Sequence, residues 1–220
     1  GFSEPSLAST YFLVTGSGAF MHNISSAPTE NIGIVEMNEA GSAYRVVWGL
    51  VNRKPTSELP THIMNHAIRM KATDGACRVI YHAHPNNIIA MTFVEPLDAR
   101  TFSRALWKAM TECVVVFPEG VGVVPWMVPG GNEIAKATSE QMKSYPAVIW
   151  AQHGLFVSGP SFDETFGLMH CIEKAADIYF RARTMNGGSN EFLNTITDEG
   201  LAQIGVEFNV KINKEFLDVQ

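Results

Sequence analysis

Residues 78–86 read RVIYHAHPN, an apolar, β-branched run that closes on two histidines, His82 and His84, one residue apart. Such a run is a strand, and in a strand the side chains at i and i+2 leave the same face about 7 Å apart. Both imidazoles can therefore meet at one point, a geometry that suits a divalent metal, zinc before others. WAQHGLFVSG, residues 150–159, offers a third imidazole, because His153 sits between two short apolar runs and is followed by Gly154. Three histidines with an open fourth position describe a catalytic site, since structural zinc sites close with four ligands, mostly cysteines. Taken alone an HxH pair says little, because most are ordinary surface or core histidines.

The flanking segments set that strand among others. YFLVT (11–15), IGIVEM (32–37) and AYRVVWGLV (43–51) are rich in β-branched and aromatic residues and are separated by Gly, Asn, Ser and Pro clusters. A helix is expected from PTSELPTHIMNHAIRM, with Ser57 as N-cap, Pro60 in the first turn and Asp74-Gly75 as the stop. Its apolar stripe would be Ile63, Ala67 and Met70. DARTFSRALWKAM (98–110) and GNEIAKATSEQMK (131–143) also read as helices. ECVVVFP (112–118) reads as a buried strand, and AVIW and LFVS as a strand pair or a broken strand around His153. The clearest helix begins at a capping box, Ser161-x-x-Glu164, and stops at Gly187-Gly188; a shorter one is expected over 197–208. Strands and helices do not alternate as βαβ units. The expected class is therefore α/β with a mixed, mostly antiparallel sheet covered by helices.

Composition narrows the function classes. With 46% hydrophobic and 17% charged residues among 220, the chain suits one substantial core. A formal net charge of −6 argues against a nucleic-acid surface. No apolar stretch nears the roughly 20 residues that span a bilayer, and no signal-peptide core is seen, so no membrane partner is expected. Cys77, Cys113 and Cys171 are odd in number and far apart in sequence, which points to buried thiols in a reducing cytoplasm.

Two segments could hold an anion. Thr56, Ser57 and Glu58 open a helix, where free N–H groups and the positive dipole end favour a phosphate. Ordinary capping is the plainer account of those three residues; the functional one makes Glu58 a general base near the metal. In VTGSGAF (14–20), Gly16 and Gly18 free the backbone and Ser17 adds a hydroxyl, without Walker or dinucleotide spacing. His62 and His66 form a rival pair at i and i+4, but Ile63 stands where the metalloprotease pattern needs Glu. They, His22 and His170 read as structural, Lys54 as a solvated charge, and Glu112 as a rim carboxylate or a second acid/base.

In order and spacing, PTSELPTH, RVIYHAH, TECVVVFPEGVGVVPWMVPG, QHG and SGPSFDETFGL resemble the class II aldolase/adducin family, from about Phe12 to Gly187. The resemblance implies a three-layer α/β/α fold around a mostly antiparallel sheet, in a homotetramer. It implies a single domain over residues 1–220 that lacks the family's N-terminal Gly-Asn segment, and with it the asparagine contacts to substrate. The implied reaction is reversible cleavage of L-rhamnulose 1-phosphate to dihydroxyacetone phosphate and L-lactaldehyde. His82, His84 and His153 fall on the family's zinc ligands, Glu58 on the base, and Ser17, Gly18 and Ser57, with Thr56 beside them, on the phosphate site. Glu112 falls on a second carboxylate that handles the proton at the aldehyde oxygen. In that scheme zinc stabilises the enediolate formed when Glu58 removes a proton, and no Schiff-base lysine is needed.

Three other readings compete. A sugar-phosphate epimerase or dehydratase of the same family would share the metal and phosphate features. A zinc hydrolase would not need two phosphate-suited loops. An adducin-like interaction domain would gain nothing from an open metal site.

Overall fold

The computed structural model describes residues 3–219. In chain order the elements are β1 (Tyr11–Thr15), α1 (Pro28–Asn31), β2 (Ile32–Met37), β3 (Tyr44–Gly49), α2 (Leu59–Ala72), β4 (Val79–Ala83), α3 (Asn86–Met91) and α4 (Ala99–Ala109). Then follow α5 (Glu112–Val116), β5 (Gly122–Val124), α6 (Asn132–Met142), β6 (Ala147–Trp150), β7 (Gly154–Gly159), α7 (Phe162–Met185) and α8 (Asp198–Glu207). Two compact units result, one holding residues up to Ile68 with Val128–Ser139, the other Arg69–Met127 with residues from Glu140 onward.

The first unit is built on an antiparallel meander in the order β1-β2-β3. Burial alternates along β2, with Gly33, Val35 and Met37 inside and Ile34 and Glu36 half-exposed, as a sheet with one covered face requires. Helix α2 supplies the cover: Leu59 and Ile63, with Ala67 beside them, pack on Leu7, Phe12, Val35 and Met37. Met70, expected on the same stripe, is exposed. The helix stops where Asp74 and Gly75 turn to φ +51° and +81°.

The second unit carries a four-stranded sheet in the order β4-β7-β6-β5, in which only β5 and β6 run parallel. Every residue of β6 and β7 is buried, which explains why both read as unbroken apolar runs. AVIW and LFVS are thus an antiparallel hairpin whose tip holds His153. Phe102, Leu106 and Trp107 of α4, Val114 of α5, Ile172 of α7 and Leu201 of α8 build the core with Ile149, Leu155 and Val157 of the sheet. Side chains close the helix starts: Asp98 accepts from Thr101 N–H, Ser161 from Glu164 N–H and Thr197 from Gly200 N–H.

The α/β class and the largely antiparallel pairing expected from sequence are found, with the strands shared between two sheets. One element is corrected. ECVVVFP is not a strand: Glu112–Val116 is helical. Cys113, Val114 and Phe117 are buried while Val116 is exposed, the one-sided pattern of a helix turn rather than the alternation of a strand. The sheet position beside β6 is taken by Gly122–Val124 instead. The cysteines are free thiols, yet two that are distant in sequence meet, Cys113 Sγ lying 3.8 Å from Cys171 Sγ. Among the described residues no helix is long and apolar enough to cross a membrane.

Candidate active site

The sheet of the second unit brings three imidazoles together. His82 lies on β4, His84 just past its end, and His153 in the turn between β6 and β7. Their ligand atoms all lie within 4.8 Å of one another. Ring centroids are 5.0 Å apart for His82–His84 and His84–His153, and 5.2 Å for His82–His153. Strand register is the cause: His82 pairs with Phe156, and Trp150 pairs with Gly154 across the hairpin. Gly154 permits this approach, since a Cβ there would fall 2.4 Å from the Ala83 carbonyl oxygen and 3.0 Å from both His82 and His84 rings.

Packing fixes the rings. His82 stacks on Phe156 at 4.1 Å between centroids, and Trp150 lies 5.4 Å from His82 and 5.1 Å from His153. The Leu155 carbonyl is 3.3 Å from His82 Nδ1. A carbonyl only accepts, so that contact places the proton on Nδ1 and leaves the lone pair on Nε2. Burial, then the charge of neighbouring His84, holds the His153 pKa below the ordinary imidazole value. Neutral imidazole is the ligating form. Three nitrogens around a tetrahedral zinc would stand about 3.4 Å apart, given bonds of about 2.0–2.1 Å. The cluster therefore fits such an ion with small side-chain adjustments.

In the first unit, the glycine-rich loop and the start of α2 run side by side. Ser17 N–H donates to the Lys54 carbonyl (2.8 Å), and Thr56 N–H to the Thr15 carbonyl (2.9 Å). Gly18 takes φ +67° at the loop's bend. Ser17, Gly18 and Ser57 are exposed and Thr56 half-buried, so hydroxyls and backbone of both segments share one surface region. The hydroxyl that receives a backbone N–H at the helix start is that of Thr56, from Glu58 (3.3 Å), and not the expected Ser57. Arg53 adds a cation that the sequence reading passed over, its Nη1 donating to the Ser17 carbonyl at 3.2 Å. Glu58 is buried, and its Oε2 has no hydrogen-bond partner among the described residues. Burial raises its pKa.

Sequence comparison gives this arrangement a context. The profile described as Class II Aldolase and Adducin N-terminal domain matches residues 3–180. The chain belongs to the class II aldolase and adducin family. Within that family, it is 46% identical over 216 residues to the rhamnulose-1-phosphate aldolase of Enterobacter sp. (strain 638), covering 98% of this chain and 77% of that protein. A rhamnulose-1-phosphate aldolase of Escherichia coli O1:K1 is 48% identical over 207 residues, covering 94% of this chain and 74% of its own length. Among solved structures, a sugar-phosphate aldolase from Thermotoga maritima matches with TM-score 0.71 at 30% identity, covering 82% of this chain and 74% of that one. An L-fuculose 1-phosphate aldolase, with TM-score 0.61 and 24% identity over 90% of this chain and 80% of its own, shares the fold.

The remaining histidines of this class II aldolase and adducin family member stand elsewhere. His66 packs on Phe12 at 5.0 Å between rings. Burial, joined at His62 by the charge of His66, lowers the pKa of His62 to about 3; burial lowers that of His66 to about 4. Both are neutral at physiological pH. His22 and His170 are exposed, as are Lys54 and Glu112, the last at the first position of α5. Three residues that the sequence does not single out, Thr92, Gln152 and Glu173, make hydrogen bonds close in the chain to His153 or His84. Gln152 hydrogen-bonds to Thr92, and Glu173 to Asn87 and Ile88. No local pattern announces them, because each partner is remote in sequence.

Proposed function

We propose that this chain is a zinc-dependent aldehyde-lyase that reversibly cleaves L-rhamnulose 1-phosphate to dihydroxyacetone phosphate and L-lactaldehyde. The observation that carries the reading is the three-histidine cluster in a chain 46–48% identical to rhamnulose-1-phosphate aldolases over nearly its whole length. His82, His84 and His153 would hold the ion. When bound, zinc supplies Lewis acidity that lowers the energy of negative charge developing beside a ketone.

The chain's own residues do the rest. Ser17, Gly18, Thr56 and Ser57 bind the phosphate through hydroxyls and free N–H groups, with Arg53 supplying positive charge. Fixing the phosphate fixes which carbon faces the base. Glu58 is that base: its carboxylate is buried, lacks a partner at Oε2 among the described residues and is raised in pKa, so it has an uncommitted lone pair and increased proton affinity. Glu112 passes a proton to the aldehyde oxygen. Its exposure supports action at a site completed by another subunit, which agrees with a homotetramer. Exposed Phe93, Trp126, Phe162 and Phe166 are apolar surface that such an assembly would cover. The three free thiols fit a cytoplasmic setting.

The test is release of dihydroxyacetone phosphate from L-rhamnulose 1-phosphate and, in parallel, from L-fuculose 1-phosphate, with zinc content measured on the same preparation. One zinc per chain and preference for the first substrate are expected. Glu58→Gln should keep the zinc and lose cleavage by at least about 10²-fold. Turnover near wild type in that variant would remove Glu58 from the role. Retention of zinc after His82→Ala with His153→Ala would reject the cluster.

A further inference from the structure

We propose that α3 is a brace for the histidine cluster, and that Thr92, Gln152 and Glu173 are positioning residues for His153 and His84. This inference rests on the metal reading of the cluster. Strand pairing fixes His82 directly, but His84 lies beyond the end of β4 and His153 lies in a turn, so ladder hydrogen bonds hold neither. His153 N–H donates within the turn to the Trp150 carbonyl (3.1 Å), and the hydrogen bonds that tie the flanking residues of both histidines to other elements run to the two ends of α3.

At the helix's beginning, Pro85 stands in the cap position and contributes no side-chain bond. Glu173, on α7, accepts instead from Asn87 N–H (3.0 Å), Ile88 N–H (3.0 Å) and Asn87 Nδ2 (2.9 Å). A carboxylate taking three donors ties the chain leaving His84 to the longest helix of the unit. At the other end, buried Thr92 donates its hydroxyl to the Ile89 carbonyl (2.6 Å) and accepts Gln152 N–H at 3.0 Å and Gln152 Nε2 at 3.1 Å. The Thr92 carbonyl accepts Gln152 Nε2 at 2.9 Å. Gln152, directly before His153, sits at φ +56°, a conformation rare for a side chain of its size. Such a residue persists only where its surroundings over-determine it, and the Thr92 clamp does so. One six-residue helix thus sets both the exit of His84 and the approach to His153.

Partners behind the ligands commonly account for 10–100-fold of metal affinity. Zinc affinity of the purified full chain is measured by competition with a chromophoric chelator, and site geometry by the visible spectrum of the cobalt(II)-loaded protein. Thr92→Val and Glu173→Ala are expected to weaken zinc by about 10–100-fold and to shift the cobalt bands, while Thr92→Ser stays close to wild type. Gln152→Gly separates positioning from stability. It relieves the left-handed backbone, so melting in the presence of chelator should not fall, yet zinc should still bind more weakly. Wild-type affinity and an unchanged cobalt spectrum in Gln152→Gly and Thr92→Val would overturn the brace alone. A wild-type protein that takes up no zinc would overturn the metal reading and the brace with it.

Discussion

Gly154 shows how much one missing methyl group decides. A side chain there would meet the Ala83 carbonyl oxygen at 2.4 Å, a backbone atom that cannot swing aside. Gly154→Ala should part β7 from β4 next to the imidazoles, costing about 1–3 kcal/mol of stability and, if the cluster holds zinc as proposed, most of that metal. Chemical denaturation and metal analysis would check both. An alanine variant as stable and as zinc-rich as wild type would show that the strands tolerate the push. Burial of Glu58 carries a consequence for pH dependence. The carboxyl pKa is raised by burial, so with Glu58 as the proposed base, which works only when deprotonated, activity should fail on acidification at a pH above the ordinary glutamate value of about 4.5. A kcat/KM profile that stays flat down to about pH 5 and falls only through the ordinary glutamate range would argue for a solvated carboxylate.

At the scale of elements, legibility followed the locality of the signal. The HxH spacing on an apolar run and the His-Gly after AVIW are local, and the residues they single out do converge. Capped helices were legible for the same reason: Ser161 accepts Glu164 N–H and donates its hydroxyl to the Glu164 carboxylate at 2.7 Å. Ser161→Ala should therefore cost about 1 kcal/mol, seen as a lower denaturation midpoint with an unchanged slope. The apolar run of α5 is too short to carry a period that tells strand from helix; its neighbours decide. Helix α3 was invisible for a deeper reason. Its ends are held by Glu173 and Gln152, 86 residues from Asn87 and 60 from Thr92, respectively. Nothing near NNIIAM in the sequence specifies them.

At the scale of the whole molecule, acid sensitivity should centre on Asp198 in the second unit. Burial pushes its carboxyl up, but Lys108 Nζ (2.6 Å), Arg104 Nη1 (2.8 Å) and the Asp218 N–H (2.7 Å) outweigh that and hold it at about 2. A depressed carboxyl stabilises above its unfolded value of about 3.8 and stops doing so as pH falls through about 2. The difference is worth about 2 kcal/mol. Wild type should lose that amount between pH 4 and pH 2. Asp198→Asn should be less stable at pH 7 and lose less over the same interval, as measured by denaturant titration at several pH values.

The register of β4, β7 and β6 has one more consequence. Strand register places His82, and the β6–β7 turn and the ends of α3 place His153 and His84, so protein groups alone can assemble the cluster and folding is expected to finish before any metal arrives. Stripping with a chelator should then leave the circular dichroism unaltered, and later addition of zinc should return full occupancy without a refolding lag. The centre would behave as a socket of the finished sheet, unlike small zinc domains whose polypeptide collapses only around its cation.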